Sequence, residues 1–149
     1  MRHLLAAALF LACPWGPARA DPCGDQIAAV AAATKAVPGE RSVDFSNFSA
    51  GADTNLTLAC GTPSSVGAQF KGESPPERYF EVFGKAGEVV TKAPAASLAT
   101  AARQAREVAA RLRHSNVDLP GVRVTCSVTN SAARGPLTLC AAIEHDDRT

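Results

Sequence analysis

Four cysteines, Cys23, Cys60, Cys126 and Cys140, are the residues of this chain best placed to do chemistry. No two of them have the C-x-x-C spacing that sets two sulfurs one turn apart, so neither a thioredoxin-like couple nor a zinc ribbon is expected. An even set at wide spacing in a short exported chain reads instead as two disulfides, and three connectivities are open. Pairing 23–60 with 126–140 is the one expected, because it joins the nearer neighbours in sequence. Strand alternation objects to it, because Leu137, Leu139, Ala141 and Ile143 form the apolar set of their strand and leave Cys140 on the other side. Pairing 60–126 with 23–140 is the alternative. A reactive Cys23 thiol at a helix N-terminus is the functional reading of that residue; a structural bridge is the simpler one.

The second group is basic. Arg103, Arg106, Arg111 and Arg113 crowd the end of one helical stretch and are candidate contacts for an anion or a protein partner through guanidinium geometry. Glu107 lies four residues from both Arg103 and Arg111, so intrahelical ion pairs on a solvated face compete with that role. The other chemical groups are sparse. His114 and His145 are the imidazoles beyond the first twenty residues, no G-x-S-x-G elbow occurs, and Gly84-Lys85-Ala86-Gly87 is too short for a phosphate-binding loop. His114 is expected at a helix C-terminus, where a cationic ring suits the last carbonyls. Glu144, His145, Asp146 and Asp147 offer oxygen and nitrogen ligands, but so close to the C-terminus they read as a solvated tail. No catalytic, cofactor or metal residue is therefore assigned. Paired carboxylates for hydrolysis are the one catalytic alternative, since spacing in sequence does not fix separation in space.

Several elements must position these groups. Asp21-Pro22 opens a helix with a carboxylate cap and a proline in the first turn, and Cys23, Ile27, Val30, Thr34 and Val37 share one face of it up to Pro38-Gly39. From Arg41 the period becomes two: Val43 and Phe45, then Leu56, Leu58 and Cys60, then Val66, Ala68 and Phe70, an antiparallel meander with one covered face. Arg78–Val90 is rich in aromatic and β-branched residues and carries Gly84 and Gly87, which predicts a bulged strand or hairpin, although Ser74-Pro75-Pro76-Glu77 imitates a capping box. Pro94 to His114 repeats apolar residues at Leu98, Ala101, Ala105, Val108 and Leu112, one side of an amphipathic helix. Val122 to Val128 and Leu137 to Ile143 then alternate as two strands around a loop at 130–135.

Residues 1–20 have the form of a secretory signal: Arg2, an apolar run from Leu4 to Ala12, and Ala18-Arg19-Ala20 before Asp21. Leu11-Ala12-Cys13 faintly resembles a lipoprotein cleavage point, with Phe10 where that pattern wants leucine. The apolar run is about half the ~20 residues a spanning helix needs, so no membrane span is expected. Loss of Arg2 and Arg19 would lower Lys+Arg from 15 to 13 against 14 acids, a net of −1, which removes any bulk attraction to nucleic acid.

The expectation is thus an exported α+β domain over residues 21–149, periplasmic or secreted after cleavage at Ala20. It has an N-terminal helix, a mainly antiparallel sheet of four to six strands, a long amphipathic helix on one face, and two disulfides. The expected function is a non-enzymatic binding or inhibitor-like module whose partner is another envelope or extracellular protein. Loops Asn47–Asp53 and Gly72–Glu77 are its expected contact surfaces. The alternative is a small carboxylate-dependent hydrolase of the cell envelope.

Overall fold

The computed structural model describes residues 21–145. The signal, the cleavage site and the lipoprotein-like Cys13 lie outside the described residues, as do Asp146 and Asp147. The elements run α1 (Pro22–Thr34), β1 (Val37–Arg41), β2 (Phe45–Ser49), β3 (Thr54–Ala59), β4 (Ser65–Lys71), α2 (Glu77–Thr91), α3 (Ala95–Leu112), β5 (His114–Leu119), β6 (Val122–Ser131) and β7 (Gly135–Glu144). The strands form one antiparallel sheet in the order β1-β2-β3-β4-β7-β6-β5. The last strand therefore lies inside the sheet, between β4 and β6, and closes two meanders onto each other. The sheet has seven strands rather than four to six. The two extra ones are β1, whose first residue the helical spacing places at the end of α1, and β5, whose residues read in sequence as a helix terminus.

Helix α1 forms as its sequence dictates. Asp21 accepts a hydrogen bond from Gly24 N at 2.9 Å, and Cys23, Ile27, Val30 and Thr34 are buried in a stripe. Lys35 ends it in the left-handed conformation, two residues earlier than expected, so Val37 belongs to β1 and is exposed. Helix α3 buries Leu98, Ala101, Ala102, Ala105 and Ala109, whereas Leu112 is 70% exposed.

Residues 78–90 correct the strand expected there. They are the body of α2, which buries Tyr79, Phe80, Val82, Phe83, Ala86 and Val90 at helical spacing. Residue type points to a strand because the face is aromatic and β-branched, yet its recurrence at steps of three and four is that of a helix. No capping box forms either: the cap is Pro76, with no side-chain bond, and Glu77 supplies the acid of the first turn. The glycines are explained by the approach of α3. A Cβ on Gly84 would overlap the Ala95 carbonyl oxygen and meet Ala99 Cβ at 3.2 Å, and one on Gly87 would lie 2.7 Å from Leu98 Cδ1.

This close helix layer also explains β7. Thr138, Cys140 and Ala142 face the helices, and Leu137, Leu139, Ala141 and Ile143 face the open side, with Leu139 42% exposed. Only small side chains fit under helices that approach through glycine and alanine; a Cβ on Gly87 would already sit 3.7 Å from Ala142 Cβ. The larger aliphatic set is thereby turned outward, the reverse of the assignment by hydrophobicity. Cys126 and Cys140 then face each other in register, with Cα atoms 4.1 Å apart, and are bonded without a bulge. Cys23–Cys60 is the second bridge and ties α1 to the end of β3.

Gly84→Ala sets two effects of opposite sign against each other. Helix propensity favours alanine by about 1 kcal/mol. The overlap is with backbone that cannot rotate away, and overpacking of this kind costs about 1–3 kcal/mol. Net destabilisation is expected in urea unfolding, larger than for Gly87→Ala, whose neighbour is the movable end of Leu98.

Candidate partner-binding groove

Every sheet of this kind has two edges, and here they differ. Edge β1 contains Pro38 and Gly39 and slips register between Pro38 and Arg41, features that blunt an edge against further pairing. Edge β5, His-Ser-Asn-Val-Asp-Leu, has no proline, glycine or bulge. Val128 N donates to Arg113 O at 3.0 Å, which sets the alternation of the β5–β6 ladder. Ser115, Val117 and Leu119 direct their backbone groups to β6; His114, Asn116 and Asp118 direct theirs out of the free edge. The side chains divide the same way. Ser115, Val117 and Leu119 are half-buried toward α3, and His114, Asn116 and Asp118 are exposed on the open face.

Beside this edge runs a groove. Ala96, Ser97, Thr100, Ala101 and Gln104 of α3 form one wall with Val117 and Leu119 opposite, around a volume of about 390 Å³. It continues past Ser97 and Leu119 into a second depression of about 420 Å³ bounded by Thr91, Ala93, Pro94 and Pro120. Helical spacing carries the α3 wall from Ser97 through Thr100, Gln104 and Val108 to Arg111. An open strand beside an apolar groove is the arrangement that accepts an added strand: backbone bonds on one side, alternate side chains in the groove.

The four arginines are separated by this geometry. Arg103 faces α2: it is ion-paired with Glu77, its Nε donates to Glu77 Oε2 at 3.2 Å, and it lies 5.5 Å over the Phe80 ring. Arg106 Nη2 donates to the Glu73 carbonyl at 2.6 Å and pins the 72–76 loop. Neither is free for a partner, and the loop expected to make contacts is held down by them. Asn47–Ser49, the start of the other expected contact loop, belongs to β2. Arg111 and Arg113 are exposed at the end of α3 next to β5. The ion pairs among the described residues are Arg41–Asp21, Arg103–Glu77 and Arg123–Asp118, so the intrahelical pairs expected of Glu107 are not formed. His114 begins β5 rather than ending a helix, with Nε2 3.4 Å from Thr125 Oγ1.

Sequence reasoning misses the edge itself, although Ser115, Val117 and Leu119 do alternate before the Pro120-Gly121 turn, where Gly121 takes φ +71°. That period of two is the available signal.

The displaced carboxyls bear on the catalytic alternative. The Arg41 guanidinium holds Asp21 below its ordinary value, helped by Gly24 N, while Arg103 does the same for Glu77 and Arg123 for Asp118. A general acid needs the opposite displacement. A folded pKa below the unfolded one means stability that is present above the unfolded value and lost as pH falls through the folded one. From ordinary values of 3.8 and 4.5, the loss is expected below about pH 4. Glu77→Gln should flatten part of that acid limb in unfolding followed by circular dichroism, and an unchanged limb would show that Glu77 does not contribute to it.

Among the described residues no group of three or more His, Cys, Asp or Glu side chains could hold a metal, and no helix is long and apolar enough to cross a membrane. Glu144 accepts from Ser64 N at 3.1 Å. Comparison with protein-family models, with curated proteins and with solved structures finds no match to the chain.

Proposed function

We propose that this chain is an exported, non-enzymatic binding module that takes up an extended segment of another envelope or extracellular protein by strand addition at β5. The observation that carries this reading is the pairing of an unblunted edge, with the backbone groups of His114, Asn116 and Asp118 turned outward, and the groove between β5 and α3. Export accords with the form of residues 1–20 and with the two bridges, which persist in oxidising compartments. Backbone pairing would supply affinity and the groove would read alternate side chains of the segment.

Asn116→Pro tests it. Proline removes an N–H that points out of the sheet, so the β5–β6 ladder keeps its bonds while an incoming strand loses one and meets the ring. Peptides selected from a displayed random library against the exported, oxidised protein are expected to lose binding to this variant by about tenfold or more, with its unfolding midpoint little changed. Undiminished binding, or no selectable extended binder, would overturn the reading.

A further inference from the structure

We infer that the segment bound at β5 runs antiparallel to it and carries carboxylates on its C-terminal side, held by Arg111 and Arg113. This inference rests on strand addition at β5 and adds the direction and charge of the ligand.

Three observations lead there. First, every pairing in the sheet is antiparallel, and a strand added in the same sense continues the more stable ladder. Its N-terminal end would lie beside Leu119 and its C-terminal end beside His114. Second, the residues lining the groove opposite β5 are neutral: Ala96, Ser97, Thr100, Ala101 and Gln104. Side chains of the segment that face Ser115, Val117 and Leu119 would therefore be uncharged. Third, charge is concentrated at one end. Arg111 shares the α3 row that lines the groove, Arg113 immediately precedes β5, and neither enters the ion pairs formed among the described residues. The other end has Lys92, whose Nζ already donates to Val89 O at 2.7 Å.

The helix dipole does not cancel this polarity. The C-terminus of α3 contributes about half a negative charge and the exposed Glu107, one turn before Arg111, a full one, against the two full positive charges of Arg111 and Arg113. The basic end of the groove thus keeps a net attraction for carboxylate, and paired guanidinium contacts suit its planar geometry. Two guanidiniums are matched by two carboxylates, so the occupant is a segment with Asp or Glu following the paired stretch; the single free carboxylate of a C-terminal segment is the competing outcome of the test.

Synthetic peptides as long as β5, alternating valine and threonine, separate these cases when titrated against the oxidised protein at low and high salt. One ends in Asp-Glu with an amide cap, one ends in a free carboxylate after neutral residues, one ends in Lys-Lys amide, and one carries Asp-Glu at its N-terminus. The first should bind about tenfold more tightly than the third and fourth, with the preference reduced by salt, and tighter binding of the second than of the first would overturn the assignment to Asp or Glu side chains. Arg111→Glu combined with Arg113→Glu should reverse the order of the first and third. A spin label on the peptide N-terminus should broaden the amides around Leu119 rather than those around His114. Equal binding of acidic and basic peptides, or broadening at His114, would overturn the inference while leaving strand addition intact. Loss of no peptide's binding in Asn116→Pro would instead defeat the reading beneath it.

Discussion

Replacing Cys23 and Cys60 together by serine is expected to lower the unfolding free energy by about 4 kcal/mol, the largest single effect predicted for this chain. The bridge spans a sequence separation of 37, against 14 for Cys126–Cys140. The chain-entropy relation gives about 4 kcal/mol for the longer loop and about 3 for the shorter. Position in the fold adds to the difference. Cys126 and Cys140 sit opposite each other on strands paired over their whole length, so the hairpin keeps its register without them. Cys23–Cys60 is the covalent tie between α1 and the sheet, supplemented by the Asp21–Arg41 pair at 2.7 Å between exposed side chains, which adds little. Loss of several kcal/mol is a large share of the ~5–15 kcal/mol available to a domain. Urea unfolding of both double-serine variants without reductant measures it. A smaller loss at 23/60 than at 126/140 would show that loop length does not govern these bridges.

Tyr79→Phe carries the second large effect. Tyr79 is 1% exposed, its hydroxyl donates to Ala68 O at 2.7 Å and accepts from Cys140 N at 3.1 Å, and it thus bridges β4 and β7 from the helix side. These strands join the two meanders, so the bond sits where the halves of the sheet meet. Phenylalanine fills the same space and loses both hydroxyl bonds, about 1 kcal/mol each, while Ala68 O and Cys140 N keep each other as partners in the β4–β7 ladder. The ring keeps its edge contacts with Phe70 and Phe80, so the packing contribution stays.

A pH signature separates this residue from its neighbours. Burial pushes the Tyr79 hydroxyl well above its ordinary 10.0. A raised folded value means that stability is full below pH 10 and is lost as pH rises from there, by about 1.4 kcal/mol per unit for this group. The chain holds a single tyrosine, so ultraviolet difference absorbance reports its ionisation alone. Ionisation is expected only together with unfolding, and Tyr79→Phe should flatten that part of the alkaline limb. Titration near pH 10 in the folded protein would show the hydroxyl is not held as described.

Legibility in the sequence follows how much each element depends on its neighbours. Helix α1, the turns, and the alternation of β3, β4, β6 and β7 are local patterns and are readable. The face that β7 buries is not, because it depends on the distance to α2 and α3; hydrophobicity favours Leu139 for the core, where space allows Cys140 and Ala142. Helix α2 misleads for a related reason. Its tyrosine, phenylalanines, Val82 and Val90 are buried, Tyr79 against β4 and β7, and its glycines admit the approach of Ala95 and Leu98, so residue type points away from the helix that spacing supports.

The candidate site shows the same division. The arginines are visible as a group, yet which of them are free depends on Glu77 and Glu73, and those become neighbours only when 77–91 is a helix. Strand β5 is short and half polar, and a strand at the edge of a sheet has one pairing partner to reinforce its pattern.

Amide hydrogen exchange of the oxidised protein, free and saturated with a library-selected peptide, tests the central claim most directly. Strand addition at β5 predicts new protection at the amides of His114, Asn116 and Asp118, which turn out of the free edge, with little change at Val117, whose amide already bonds within the sheet. Protection confined to β7 around Leu139, or to the blunted β1 edge, would contradict it.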